Sequence, residues 1–291
     1  MIGATFLKAL CIQKAFCLRR TLTPCIKFTV LGVPFKRCLK VLPTSRILQK
    51  MSSEAEDLSV STAKKPKFSV LDVDEWQKRW AERKIGFHQD AVHLYLEKYI
   101  DKLLNKHEKI DVFMPLCGKA VDIKWLADKG HSVVGVECSS MALEEFFDEQ
   151  NVEYTTEPVN EVKGSLYKSK DGKIKLYCCD FFAFNKDIAG QFDAIWDRAA
   201  MVAINRSDRV KYTDLLKSLM KPECRLALVT LEFDESLHAG PPHDFPEDNV
   251  RELYEETCNV EMVESMDGLK ERHKGWGLSS LEEKFYVIMK K

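Results

Sequence analysis

Charged side chains follow three apolar runs that have the composition of buried β-strands. Glu137, Asp180 and the pair Asp197-Arg198 each stand at the end of such a run. Because the carboxyl ends of parallel strands meet at one edge of an open α/β sheet, where such sheets bind ligands, these residues are candidates for one site. A surface ion pair is the structural alternative at Asp197-Arg198, and the pattern favours the site.

The stretch Ile110–Glu137 predicts a strand, a tight turn, a helix, a second strand and then an acid. An acid about 20 residues after a glycine turn suits the two hydroxyls of a ribose. The turn, Pro115-Leu-Cys-Gly118, has one glycine where a dinucleotide site has three, which points to a nucleoside cofactor without phosphates. An ordinary β-α-β unit with an incidental acid is equally consistent with this stretch alone.

The chain has 291 residues, of which 45% are hydrophobic and 31% charged, with a net charge of −1. This composition supports one domain with a sizeable core. The residues after position 50 hold 34 basic and 45 acidic side chains. An acidic body argues against a nucleic-acid enzyme, and no apolar run reaches the length of a membrane span. The ten cysteines form no CxxC motif, which favours a reducing compartment.

The first 50 residues contain ten Lys and Arg and no Asp or Glu. We interpret 1–50 as a basic extension with the composition of a mitochondrial presequence. Translation could also begin at Met51, which opens an acidic, polar stretch. We expect 51–67 to be a disordered linker and 68–291 to be the folded domain.

The seven histidines show no metal-ligand spacing, so we expect no metal. There is also no GxSxG nucleophile motif and no Walker lysine. Acids, arginines and aromatic residues remain for the cleft, and they suit a reaction with little proton chemistry. Methyl transfer from a sulfonium is such a reaction, because the donor is already electrophilic and the protein chiefly aligns the reactants.

The elements around these residues predict a Rossmann-like, doubly wound α/β fold. We expect a mostly parallel sheet of seven strands with an antiparallel edge, and two irregular strand pieces at Tyr154–Glu161 and Ser165–Lys168. Trp76 and Trp80 share one face of a helix before the first strand. They could pack in the core or form an aromatic lid over a ligand, and spacing alone favours packing.

The chain resembles the thiopurine S-methyltransferase family from about Leu71 to its end. The likeness is carried in order by these motifs: Trp76-Gln-x-x-Trp80, Gly86-Phe87-His88, Phe113-x-Pro-Leu-Cys-Gly-Lys119, Gly130-His-Ser-Val-Val-Gly-Val-Glu137, Leu176-Tyr-Cys-Cys179, Phe192-Asp-x-Ile-Trp-Asp-Arg198, Val202-Ala-Ile-Asn205, Gly240-Pro-Pro242 and Glu271-Arg-His-Lys-x-Trp276. The resemblance implies a class I methyltransferase that uses S-adenosylmethionine, and it makes Trp76–Phe87 an N-terminal helical lid.

The resemblance also implies roles for single residues. The cofactor-binding set would be Trp76, Trp80, Phe87, Leu116, Gly118, Glu137, Asp180, Phe181 and Arg198. Phe87, Arg198 and Arg272 would line the acceptor pocket, where Arg198 positions the acceptor and no general base is required. Asp180 departs from the smaller polar residue expected there, and Ala199 stands where the family has glycine.

The resemblance implies an acceptor that is a small aromatic or heterocyclic thiol, with thiopurines included. Alternatives are a methyltransferase for selenium, tellurium or other small nucleophiles and, from another class, a nicotinamide-dinucleotide oxidoreductase. We expect a monomer with no nucleic-acid or membrane partner, acting in the cytoplasm in xenobiotic metabolism. A mitochondrial location is the alternative if residues 1–50 act as a presequence.

Overall fold

The computed structural model describes residues 69–291. The basic extension 1–50, the linker 51–67 and the first expected residue of the domain, Phe68, lie outside these described residues. The expectations for them stay predictions. Within the described part of the chain, we find no helix with the length and apolar character needed to cross a lipid bilayer.

One sheet of nine strands forms the centre of the domain, in the order β3-β4-β5-β2-β1-β6-β7-β9-β8. The five strands from β5 to β7 are parallel, and two antiparallel strands flank them on each side. The strands are β1 (Asp111–Met114), β2 (Ser132–Glu137), β3 (Tyr154–Val159), β4 (Gly164–Ser169), β5 (Ile174–Cys178), β6 (Phe192–Arg198), β7 (Met220–Glu232), β8 (Cys258–Asp267) and β9 (Glu282–Lys290).

The doubly wound α/β class and the antiparallel edge at β8–β9 are confirmed, and the count of seven strands is wrong. The two stretches predicted as irregular pieces are β3 and β4, which extend the same sheet beyond β5. The four central residues of β3 are exposed, so the strand lacks the alternation of apolar and polar residues that marks a half-buried strand. A turn at Asp171-Gly172 joins β4 to β5, with Gly172 at φ +75°.

Eight helices accompany the sheet in the described part of the chain. They are α1 (Val73–Ala81), α2 (Leu94–Leu104), α3 (Val121–Asp128), α4 (Ser140–Glu149), α5 (Lys186–Ala189), α6 (Arg209–Leu219), α7 (Glu247–Tyr254) and α8 (Glu271–Lys274). Asp72 caps α1 and forms a capping box with Glu75.

Neighbouring residues of β1 point to opposite sides of the sheet and join different apolar clusters. Phe113 packs with residues of α6 and α7, such as Tyr212 and Val250. Val112 and Met114 pack on the other side with α2, α3 and α4. Burial of each such side chain contributes roughly 1.5–3 kcal/mol. Since helices cover both faces, only the strand ends of the sheet are open to a ligand.

Candidate active site

A cavity of about 260 Å³ lies at the carboxyl ends of β1, β2 and β6. Residues from the segment 76–91 and from 268–276 complete its wall. The structure brings eight of the ten predicted site residues to this cavity, and these are Trp76, Trp80, Phe87, Leu116, Gly118, Glu137, Arg198 and Arg272. The residues come from five separate parts of the chain, so the cavity depends on the tertiary fold.

The turn after β1 forms the floor of the cavity beside the lid. Leu116 and Gly118 have positive φ angles, +45° and +52°. Glycine adopts this backbone conformation at no steric cost, whereas an added Cβ at Gly118 would lie 3.1 Å from the ring of Trp80. The close approach of Trp80 therefore depends on a residue without a side chain at position 118.

Glu137 is the last residue of β2 and is 6% exposed. One carboxylate oxygen accepts from the backbone N–H of Gly118 at 3.0 Å, and the other accepts from that of Ser139, also at 3.0 Å. Burial raises the pKa of Glu137, and these hydrogen bonds act in the opposite direction. Each carboxylate oxygen thus has a backbone N–H donor that fixes its position in the cavity wall. The remaining acceptor sites of the carboxylate can accept hydrogen bonds from the two hydroxyls of a ribose.

The structure does not bring Asp180 and Phe181 to the cavity wall with the other eight. Asp180 is exposed beyond β5, and its carboxylate accepts from the backbone N–H of Phe182 at 2.9 Å. Phe181 is buried against Phe113 and Tyr212, with ring centroids 6.4 and 4.9 Å apart. Their assignment to the cofactor stays a prediction.

The lid segment, Trp76–Phe87, covers the cavity with aromatic rings. Phe87 makes edge contacts with Trp76 at 6.0 Å and with Trp80 at 5.7 Å between ring centroids. Gln77 donates to the backbone carbonyl of Cys138 at 3.0 Å, directly after Glu137. Trp80 therefore packs in the core and lines the cavity at once, so the two interpretations of the tryptophan pair are not exclusive.

Two arginines reach the same short stretch of the lid segment from different elements. Arg198, the last residue of β6, donates to the backbone carbonyl of Phe87 at 2.9 Å. Arg272, on α8, donates to the backbone carbonyl of Gly86. Burial lowers the pKa of both guanidinium groups. Arginine side chains are effectively always protonated in proteins, so both groups are cations. This end of the cavity thus carries two cations and suits an anionic group.

Sequence reasoning missed three residues at the same end. Glu283 and Asp122 line the cavity, and His93 lies beside them. The Nε2 atom of His93 is 3.0 Å from Oε1 of Glu283, and its backbone N–H donates to Asp122 at 2.9 Å. The sequence pattern that could have identified Glu283 is a charged residue on the same face of an apolar strand as buried Phe285, two positions later.

The residues present fit a nucleoside cofactor that has no phosphates. Glu137 offers the acceptor for a ribose, the turn at Leu116–Gly118 offers no pyrophosphate cradle, and the aromatic lid offers apolar cover. S-adenosylmethionine is a nucleoside cofactor of this kind, without phosphates.

Comparison with known proteins agrees with this chemistry. The sequence model of the family "Thiopurine S-methyltransferase (TPMT)" matches residues 71–291. The chain belongs to the thiopurine S-methyltransferase family. A probable thiopurine S-methyltransferase from Danio rerio is 48% identical over 76% of this chain and 96% of its own length. The thiopurine S-methyltransferase of Bos taurus is 45% identical over 76% of this chain and 91% of its own length.

Solved structures support the fold. A 1,6-didemethyltoxoflavin-N1-methyltransferase from Burkholderia thailandensis, with S-adenosylhomocysteine bound, has a TM-score of 0.51 and 13% identity. The match covers 77% of this chain and 94% of that chain. An S-adenosylmethionine-dependent methyltransferase from Anabaena variabilis has a TM-score of 0.50 and 14% identity, over 77% and 97%. At these identities the likeness is one of fold alone.

Membership of the thiopurine S-methyltransferase family makes this chain a methyltransferase with S-adenosylmethionine as its cofactor. The nicotinamide-dinucleotide alternative is therefore excluded. Ala199 has φ +64° directly after Arg198 and lines the cavity. A non-glycine residue in this region costs roughly 1–2 kcal/mol, so Ala199 carries backbone strain that a glycine at this position would not.

Proposed function

We propose that this methyltransferase acts on the sulfur of small aromatic and heterocyclic thiols, thiopurines included. The observation that carries the proposal is the pair of arginines, Arg198 and Arg272, in the cavity wall. Arg198 ends β6, which β1 separates from β2 and Glu137. A flat aromatic anion has the charge and shape for a pocket with two guanidinium groups and Phe87.

The proposed cofactor contacts divide along the cavity. Glu137 would accept from the ribose hydroxyls, and Leu116 and Gly118 would face the cofactor at the turn. Trp76, Trp80 and Phe87 would exclude water above it, with Arg198 at its reactive end. Asp180 and Phe181 are proposed for the adenine. When bound, S-adenosylmethionine supplies an electrophilic methyl group on a positively charged sulfur.

The protein's own part in the reaction would be to bind and orient the acceptor. Heteroaromatic thiols are more acidic than alkyl thiols and react as thiolates, so solvent can take the proton before the pocket binds the anion. Arg198 and Arg272 would hold this anion or its ring nitrogens, and Phe87 would stack on the ring. Because the nucleophile arrives deprotonated, no residue has to act as a general base.

The test is a panel of acceptors with the purified full-length chain and methyl-labelled S-adenosylmethionine. The panel contains a thiopurine, a thiophenol, sulfide, a selenol and an amine. We expect the labelled methyl group to be transferred to the two aromatic thiols with the highest kcat/KM of the panel. Absence of turnover on every aromatic thiol would contradict the proposal, and preference for sulfide or the selenol would support the alternative acceptor class.

We also propose that the enzyme is a cytoplasmic monomer that serves xenobiotic metabolism. Residues 1–50 would direct a fraction to mitochondria if they act as a presequence. Microscopy of cells that express either the full-length chain or the chain starting at Met51 tests this. A mitochondrial signal for the full-length chain alone would assign the targeting role to residues 1–50, and identical cytoplasmic signals would refute it.

A further inference from the structure

Glu283 is a carboxylate on the inward face of β9 that lines the acceptor end of the cavity. Its side chain is 15% exposed. Phe285, two residues on, faces the same side of the sheet and is buried among Tyr95 and Tyr99. A charged residue at such a position requires compensating partners, because burial of an unpaired carboxylate is costly.

The start of α2 holds Glu283 in place by two contacts. The Nε2 atom of His93 lies 3.0 Å from its Oε1 atom. The hydroxyl of Tyr95 donates to the backbone carbonyl of Glu283 at 2.8 Å. His93 is itself fixed, since its backbone N–H donates to the carboxylate of Asp122. The carboxylate therefore has a defined orientation before any ligand binds.

The groups around Glu283 favour its ionised form. His93, Arg198 and Lys270 lower its pKa below the usual value of a glutamate, against the opposing effect of burial. Glu283 in turn stabilises the charged form of Arg198 and Arg272. The same end of the cavity thus combines two arginines with the carboxylates of Glu283 and Asp122. Both oxygens of Asp122 already accept hydrogen bonds, from the His93 N–H and from the ring N–H of Trp196. This end can therefore bind an anion at the arginines and a hydrogen-bond donor at Glu283.

The second oxygen of the Glu283 carboxylate, Oε2, accepts no hydrogen bond from residues 69–291. An ionised carboxylate has only acceptor sites, and its partner has to be a donor. An acceptor molecule in the pocket can supply that donor as an N–H group of its ring. A hydrogen bond to a charged, partly buried group contributes more than one between neutral groups.

We propose that Glu283 is a specificity-determining residue that accepts a hydrogen bond from a ring N–H of the acceptor, and so favours N–H heterocyclic thiols over arene thiols. This inference rests on the proposed function. Arg198 and Arg272 would hold the thiolate while Glu283 holds the N–H on the same ring. An arene thiol offers no such donor and leaves a carboxylate unpaired beside an anion, which disfavours it.

The test compares Glu283→Gln with the wild-type full-length chain on two acceptors, a thiopurine and thiophenol. We expect kcat/KM for the thiopurine to fall roughly 10- to 100-fold, mainly through KM, because a charged hydrogen bond is lost. For thiophenol we expect no loss or a gain, since a negative charge leaves the pocket. Glu282→Gln, at the neighbouring and more exposed position, is the matched control and should change neither acceptor.

A second variant and a binding measurement separate the possible failures. Glu283→Asp keeps the negative charge but places it one methylene farther from the acceptor. We expect a smaller fall in kcat/KM than for Glu283→Gln, and only for the thiopurine. Equal losses on both acceptors in both variants would show a merely structural role, and no loss on the thiopurine would refute the hydrogen bond.

Equilibrium binding of the two thiols in the presence of S-adenosylhomocysteine gives the same comparison without turnover. If wild-type protein methylates neither thiol, the proposed function fails. The effect of Glu283→Gln on the binding ratio of thiopurine to thiophenol then still decides the inference. An unchanged ratio would overturn it.

Discussion

The two ends of the cavity are built in opposite ways. The proposed cofactor end, defined by Leu116, Gly118 and Glu137, comes from one β-α-β unit, and its carboxylate is held by backbone N–H groups. The proposed acceptor end, defined by Arg198, Arg272 and Glu283, comes from β6, α8 and β9. Its charges are set by other side chains from distant parts of the chain. Backbone N–H groups do not change when a residue is substituted, which suits a site for one fixed cofactor. Side chains can be substituted, so the other end of the cavity can be adapted to different acceptors.

Substitution of Glu137 should have the largest effect and should be confined to the cofactor end. Glu137→Ala removes the proposed acceptor for the ribose and leaves the Gly118 and Ser139 N–H groups without their partner. We expect the Kd for S-adenosylmethionine to rise on the order of 1,000-fold, about 4 kcal/mol, from two lost charged hydrogen bonds. Isothermal titration calorimetry measures the change.

Glu157→Ala is the matched control for Glu137→Ala. Glu157 is an exposed residue of β3, away from the cavity. The Glu157→Ala protein should bind S-adenosylmethionine with the same Kd as the wild-type protein. If Glu137→Ala bound S-adenosylmethionine within a few-fold of wild type, the ribose assignment and the division of the cavity would both be wrong.

Substitution of Arg272 should separate the two ends. For Arg272→Ala we expect kcat/KM for a thiopurine to fall about 100-fold, since one of two cations for the thiolate is lost, while the Kd for S-adenosylmethionine changes less than about threefold. Arg272→Lys should recover only part of the activity, because lysine keeps the charge without the planar fork. Steady-state kinetics and calorimetry give the two numbers.

Arg251→Ala on α7, whose arginine pairs with Glu247 and Glu255 outside the cavity, is the control for Arg272→Ala. Arg198 is proposed to contact both the cofactor and the acceptor. Arg198→Ala should therefore raise the Kd for S-adenosylmethionine and also lower kcat/KM for a thiopurine, unlike Arg272→Ala. Full activity of both cavity variants on a thiopurine would refute the acceptor assignment.

The same division explains what the sequence could predict. Glu137 and Arg198 end apolar parallel strands, and topology alone then places them at one edge of the sheet. Asp180 satisfies the same rule, but its carboxylate caps the turn at Phe182 and stays outside the cavity. His93 and Glu283 are 190 positions apart in the numbering, and their contact exists only after α2 packs against β9. No local pattern reports such a pair.

A smaller effect should come from Asp197, which lies behind Arg198 and supports the acceptor end. Asp197 is fully buried, accepts from the Tyr212 hydroxyl at 2.7 Å and from the Met201 N–H at 3.0 Å, and burial raises its pKa to about 6. When the pKa of a carboxyl is higher in the folded state than in the unfolded state, its contribution to the free energy of unfolding is lost as pH rises through the folded-state pKa. Between pH 4.5 and 7 its contribution should fall by about 2 kcal/mol.

Asp197→Asn cannot ionise and should remove this part of the pH dependence. The test is urea unfolding of both proteins at pH 4.5 and pH 7, with the difference in unfolding free energy as the readout. Asp171→Asn is the control, because the pKa of exposed Asp171 is lowered by its hydrogen bonds and its dependence has the opposite sign. An identical pH slope in wild type and Asp197→Asn would contradict the prediction.

The smallest expected effect concerns backbone strain, and it compares the two ends directly. The cofactor end places a glycine, Gly118, at φ +52°, whereas the acceptor end places Ala199 at φ +64°. Ala199→Gly should stabilise the fold by about 0.5–1 kcal/mol, because relief of the left-handed strain outweighs the extra freedom of glycine in the unfolded chain. Ala200→Gly, at φ −83°, should instead destabilise by a similar amount. Thermal and urea unfolding measure both signs, and a destabilised Ala199→Gly would mean that the methyl group contributes more by packing beside Arg198 than its backbone costs.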